Sequence, residues 1–125
     1  MSFRVLVSGS RVFADATLMR NALLTALRYA NGRPLTIVHG GAAGADTLAV
    51  TIGMQCLPAD TVFEAHPADW SSHGRSAGPL RNAHMVSLGA DLMLAFFVSG
   101  VDSRGTAGCV ALASGSGIPI IRLRS

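Results

Sequence analysis

The sequence predicts an α/β fold: one domain over residues 1–125, built on a doubly wound, five-stranded parallel sheet with helices on both faces. Three observations carry this. Short apolar, β-branched runs alternate with segments of helical spacing along the whole chain. The connections are short, with no internal repeat and no linker. Half of the residues are hydrophobic and 14% are charged, which suits strands buried on two faces. Alternation with short connections calls for a parallel sheet, and right-handed crossovers restrict its topology. The expected arrangement is Rossmann-like, with strand order 3-2-1-4-5.

Each element has its own signal. "RVLVSG" (4–9) is a β-branched run closed by glycine and reads as a strand. Met19, Leu23, Leu27 and Ala30 then recur at i, i+4, i+8 and i+11, the spacing of a helix. "NGRP" (31–34) stops it. "LTIVHG" (35–40) is the second strand. Leu48, Ala49, Ile52, Cys56 and Leu57 fit a second helix over 45–57. "TVFEA" (61–65) is the third strand. "HPADWSSHGRSAG" (66–78) reads as a long polar loop, and loops of that length in a compact domain are often functional. Pro79 suits the first position of a third helix running to about Leu88. "DLMLAFFV" (91–98) is a strand apolar on both faces and therefore central. After a loop at 99–105, a short helix spans Thr106 to Ser114, Gly115 and Gly117 end it, and "IPIIRL" (118–123) is the fifth strand.

Composition excludes several classes. The longest unbroken apolar run, Leu92–Val98, is too short to cross a bilayer. The start of the chain lacks the pattern of a signal peptide, so a cytoplasmic protein is expected. Cys56 and Cys109 form no metal or redox spacing. His39, His66, His73 and His84 show no ligand spacing either, so neither metal nor cofactor is expected. The net charge is +3, and all ten basic residues are arginine. They are scattered, without the basic run that suggests nucleic acid. Arginine is also the side chain that holds phosphate in a bidentate fork.

In a doubly wound sheet, ligands bind beyond the C-terminal ends of the strands, where strand order reverses. The unusual stretches of this chain fall on that rim: Gly9-Ser10-Arg11, "GGAAGAD" (40–46), the segment 66–82, and "SRGTAG" (103–108). Several lead into helix N-termini, whose free N–H groups attract phosphate, and glycine admits close approach to them. A phosphate cradle is therefore expected at Gly40, Gly41, Ala42, Gly44 and Ala45. Arg11, Arg75, Arg81 and Arg104 all fall on or beside the rim. Arg81 with Asn82 beside it is a candidate ligand contact. Asp46 reads equally as a helix cap or a ribose contact. Trp70 reads equally as a base platform or a packing residue. Gly9, Ser10, Gly78, Gly105 and Thr106 complete the candidate set.

On "VSGSR" (7–11), "VHGGAAGADTLA" (38–49), "HPADWSSHGRSAGPLRNAHMV" (66–86), "DLMLAF" (91–96) and "GTAGCVALA" (105–113), the chain resembles the YspA-related branch of the SLOG superfamily. That superfamily includes the Lonely Guy phosphoribohydrolases, the DNA-processing DprA proteins, and sensor domains that bind ADP-ribose-like nucleotides. Some members of this branch are carried by phages. The resemblance implies a Rossmann-like nucleotide-binding module. It also shows a departure. The Lonely Guy motif PGGxGTxxE supplies a catalytic glutamate. With its "GT" on Gly105-Thr106, that position holds Cys109, and "DSR" (102–104) replaces "PGG". The motif arginine has a match in Arg81, which would be its catalytic residue if this were a hydrolase.

Three functions follow in order. The first is a binder or sensor of a nucleotide or derivative, the ADP-ribose class included, without catalysis. The second is a nucleoside-monophosphate phosphoribohydrolase. The third is a single-stranded nucleic-acid binder, for which the 6% aromatic content offers few stacking residues. A small-molecule partner, no membrane and a homo-oligomer are expected. The last follows from apolar helix faces that a sheet this small leaves uncovered.

Overall fold

The computed structural model describes residues 1–125. Five parallel strands, β1 (Phe3–Gly9), β2 (Leu35–His39), β3 (Val62–Ala65), β4 (Leu92–Phe97) and β5 (Ile120–Arg124), form one sheet in the order β3-β2-β1-β4-β5. Val5 of β1 sits opposite both Ile37 of β2 and Leu92 of β4. The helices are α1 (Ala16–Ala30), α2 (Ala45–Cys56), α3 (Trp70–His73), α4 (Ala77–Ser87) and α5 (Arg104–Gly115), with a 3-10 turn at Gly74–Ser76.

Side chains alternate across the sheet, as strand geometry requires, and divide the core into two layers. Val5, Val7, Ile37, Leu92, Leu94 and Phe96 face α1 and α2, with Met19, Leu23 and Ala49 among the residues that cover them. Leu6, Val38, Met93, Ala95 and Phe97 face α4 and α5, meeting Met85, Val86, Cys109, Val110 and Ala113. Every residue of β2 and β4 is buried, so the continuous apolar runs in the sequence are the strands covered on both sides. The ends of α1 are fixed locally. Asp15 accepts the Leu18 N–H at 3.0 Å, an N-cap bond, and Asn31 closes the helix in the left-handed region at φ 50°.

The segment expected to be a long loop is partly helical. Asp69 Oδ1 accepts the Ser72 N–H at 3.1 Å and the Ser71 hydroxyl at 2.9 Å, which nucleates α3 within 66–78. The 3-10 turn then leads into α4, which starts two residues before Pro79. Proline is tolerated there because the N–H groups of a first turn have no intrahelical partner. Likewise α5 starts at Arg104 rather than Thr106, because Asp102 accepts the Arg104 N–H at 3.0 Å. It runs through Gly115, and Gly117, at φ +79°, makes the turn.

The order β3-β2-β1-β4-β5 places the topological switch between β1 and β4. The chain leaves β1 for α1 on one face and leaves β4 for α5 on the other. The two connecting loops diverge and open a crevice between them.

Candidate functional site

A cleft of about 430 Å³ occupies that crevice, within the range of small-molecule sites. Its walls are the end of β1 and the following loop, the first turns of α4 and α5, and the start of α2. It contains eleven of the residues expected from the sequence: Gly9, Ser10, Arg11, Ala42, Asp46, Trp70, Gly78, Arg81, Asn82, Gly105 and Thr106. Arg104 joins them. Arg75 lies exposed on the 3-10 turn and takes no part in the wall.

The small residues at 40–45 have a different neighbour from the one expected. Gly40, Gly41, Gly44 and Ala45 do not line the cleft. A Cβ on Gly40 would collide with the guanidinium of Arg81, and one on Gly44 with the backbone of Ser10 and Arg11. Gly44 also has φ +79°, where glycine is the default residue. Four of the loop's backbone donors are committed as well. Asp46 Oδ2 accepts from the N–H groups of Gly40 at 3.0 Å and Ala42 at 3.3 Å. His39 Nδ1 accepts from Gly41 at 3.0 Å, and Ser10 O accepts from Ala45 at 3.1 Å. The loop is thus an anion-holding concavity of the kind successive N–H groups make, and its anion is the protein's own Asp46. Glycine is small here to admit Arg81 and the loop after β1. Gly9 is small for a related reason: a Cβ there would lie 2.7 Å from Phe96 Cβ and press on Ala45.

Asp46 is 5% exposed and lies in the first turn of α2, whose cap position is Gly44. It therefore closes the preceding loop and does not cap the helix. Burial pushes its carboxyl above the usual range, and the two backbone N–H bonds pull it back. His39 is also buried, and desolvation lowers its pKa. With Nδ1 accepting from Gly41, its ring proton is assigned to Nε2.

Arg81 is the best-positioned cation of the site. Its Nη1 donates to Gly40 O at 2.7 Å, and its Nε to Asn82 Oδ1 at 2.8 Å. Its Nη2 makes no hydrogen bond within the protein. Asn82, its oxygen held by Arg81, also carries two amide N–H donors. Across the cleft, the N–H groups of Gly105 and Thr106 in the first turn of α5 have no acceptor, whereas that of Ala107 bonds Ser103 O at 2.8 Å. Arg104 pairs with Asp102 at 2.9 Å on the exposed rim, and the bonds from Arg104 hold the Asp102 carboxyl below its ordinary range. Arg11 lies over the Trp70 ring, 5.4 Å from its centroid.

The periodicity of α5 could have disclosed more of this wall. Gly105, Gly108, Cys109 and Leu112 recur at helical spacing and all line the cleft. Cys109 is 1% exposed, and burial pushes its thiol up, partly offset by a bond to Ser8. The one glutamate lies elsewhere. Glu64 pairs with Arg4 through two bonds of 3.1 and 2.9 Å and meets His66 Nε2 at 2.8 Å. Nowhere do three His, Cys, Asp or Glu side chains gather as a metal site would need, and no helix is long and apolar enough to cross a membrane.

The chain is 44% identical over 120 residues to the Gene 61 protein of Mycobacterium phage D29, an alignment covering 94% of each chain. Among solved structures it is similar to the C-terminal domain of a hydrogenase from Pyrococcus furiosus. That match has 12% identity and a TM-score of 0.46, covering 97% of this chain and 89% of the other. Residues 3–73 match the model of the YspA, cpYpsA-related SLOG family. With more than half of the chain matched, the chain belongs to the YspA, cpYpsA-related SLOG family, a membership that suggests a nucleotide-related binding or processing module.

Proposed function

We propose that the protein binds or senses a nucleotide or nucleotide derivative, the ADP-ribose class included, in the cleft between β1 and β4. The observation that carries this is the convergence of uncommitted donors on one cavity. Arg81 Nη2 and the Gly105 and Thr106 N–H groups have no partner in the protein, and Arg11 and Arg104 stand at the rim. A phosphate would be held between Arg81 and the first turn of α5, where the helix dipole adds to the attraction. Ala42 and Asp46 would meet the ligand from the α2 side. Gly40, Gly41, Gly44 and Ala45 support the site from behind.

Binding without turnover is the better reading of the same geometry. Departure of a base from ribose builds positive charge on the sugar, which a carboxylate stabilises. Cys109 is buried and un-ionised, Glu64 is bound to Arg4, and Asp102 is bound to Arg104. One observation favours the phosphoribohydrolase reading: Asp46 lines the cleft with a raised carboxyl pKa, a property that marks functional acids. Its commitment to two backbone N–H groups argues against it. The nucleic-acid reading lacks a stacking track, since Trp70 is the one aromatic residue on the wall.

The test is thermal denaturation with nucleoside monophosphates, ADP-ribose and inorganic phosphate. A ligand at 100 times its Kd adds about 2.7 kcal/mol, which raises Tm by roughly 10 °C for a domain of this size. Arg81→Ala should abolish most of that rise. No stabilisation by any of the panel would reject the reading. We also infer that the chain assembles with copies of itself, because Leu80 on α4, Leu88 at its end and Leu112 on α5 are exposed. Sedimentation at micromolar concentration showing monomer alone would reject that.

A further inference from the structure

We infer that Trp70 is the platform for the nucleobase, and that Arg11 covers its face until a base displaces the guanidinium onto the ligand's phosphate. The inference rests on the nucleotide reading above and adds where the base goes and what excludes sugar phosphates that lack one.

Trp70 is a poor packing residue. It is 49% exposed and belongs to neither layer of the core. Yet it is held in place. Asp69 fixes the turn that carries it, and at Gly78 a Cβ would sit 3.4 Å from the indole Cη2. The ring thus lies beside the first turn of α4, one turn from Arg81 and Asn82, and all of them line the same cleft. A large aromatic ring kept rigid and half in water at the mouth of a polar cleft suits stacking by a flat ligand.

Arg11 is held by that ring alone. Its guanidinium lies 5.4 Å from the ring centroid, and it makes neither an ion pair nor a side-chain hydrogen bond. Every N–H it carries is therefore available. A cation over an exposed indole is worth a factor of about two to five in an equilibrium. A base stacked on an aromatic side chain is worth about 5- to 100-fold, for any base, because every base has a π-face. Exchange of guanidinium for base is therefore favourable, and the freed arginine gains a phosphate to bind bidentately. Ribose 5-phosphate offers no base to displace it.

Trp70 is the chain's single tryptophan, so intrinsic fluorescence reports this ring alone. Titrate AMP, GMP, CMP and ribose 5-phosphate, following emission and, in parallel, calorimetric binding. The nucleotides should quench Trp70 with midpoints equal to their calorimetric Kd. Ribose 5-phosphate should bind about tenfold more weakly or worse and leave the emission unchanged. Trp70→Ala should reduce AMP to the affinity of ribose 5-phosphate and leave the latter within about twofold. Trp70→Phe should keep most of the AMP affinity. Arg11→Ala should weaken AMP by about tenfold and leave ribose 5-phosphate within about twofold. Calorimetric binding of AMP with unchanged Trp70 emission, or with full affinity in Trp70→Ala, overturns the inference and leaves the nucleotide reading standing. AMP binding equally to wild type and Arg11→Ala overturns the role given to Arg11. Absence of binding by all four probes overturns the nucleotide reading and this inference with it.

Discussion

Gly40→Ala separates a glycine that serves the protein from one that serves a ligand. Gly40 has an ordinary φ, so alanine is sterically acceptable to the backbone. Its new methyl group would meet the Nη1, Cζ and Nε of Arg81. These atoms end a flexible side chain, so the guanidinium moves while the backbone stays. The displaced group gives up its 2.7 Å bond to Gly40 O. A hydrogen bond to a charged group contributes about 1.5–3 kcal/mol, and glycine to alanine returns about 0.4–1 kcal/mol from the unfolded state. The net loss of stability is therefore about 1–2 kcal/mol, or roughly 3–8 °C in Tm. The effect on ligand should be larger. Loss of the aimed Arg81–phosphate contact weakens binding by about 10- to 100-fold. The assay is a double-mutant cycle by calorimetry with wild type, Gly40→Ala, Arg81→Ala and the double variant. Because the glycine acts through the arginine, Gly40→Ala should cost less than about twofold in the Arg81→Ala background. Fully additive losses would show that position 40 meets the ligand directly, and would refute the account of the loop.

Gly44→Ala should be far more damaging than Gly40→Ala, by more than about 3 kcal/mol, since it combines a positive φ with a collision against backbone; urea unfolding would show it, and a stable variant would mean that the loop after β1 can shift. Acid should weaken the fold through Glu64, whose bonds to Arg4 and then His66 hold its carboxyl down at about 2 against an ordinary 4.5. A lowered carboxylate pKa contributes stability that is present above the unfolded value and lost as pH falls through the folded one. With the side chain about a third exposed, roughly 1–2 kcal/mol should disappear between pH 5 and 2. Urea unfolding across that range should show Glu64→Gln less stable than wild type at pH 7 and flatter in its response to acid; a parallel profile would refute the assignment. Wild type and Cys109→Ser should release no free base from nucleoside monophosphates, and Cys109 should react slowly with a thiol reagent in the native state, because its thiol is buried and its pKa raised. Rapid base release lost in Cys109→Ser would make the protein an enzyme with a cysteine-based mechanism.

Much of the architecture is legible in the sequence because burial on two faces leaves unbroken apolar runs. "LTIVH" and "LMLAFF" are strands for that reason, and Met19, Leu23 and Ala30 mark the buried side of α1. Helix α3 is harder to see, since "WSSH" has no buried residue and its start depends on the Asp69 carboxylate. The location of the cleft is also legible, because strand order alone fixes the switch point. The purpose of the glycines is not. Gly40 is small because of Arg81, 41 residues further on, and Gly44 is small because the loop after β1 crosses it. A glycine-rich turn that admits a phosphate and one that admits an arginine look alike in sequence. Only the tertiary partner, and the commitment of the Gly40 and Ala42 N–H groups to Asp46, tells them apart.

The most direct test of the central claim is a crystal structure of the protein grown with AMP or ADP-ribose. The account predicts a phosphate within hydrogen-bond distance of Arg81 Nη2 and the Gly105 and Thr106 N–H groups, with Asp46 still bound to the Gly40 and Ala42 N–H groups. A phosphate seated on the N–H groups of the 40–45 loop with Asp46 displaced, or a ligand bound away from the β1–β4 cleft, would contradict it.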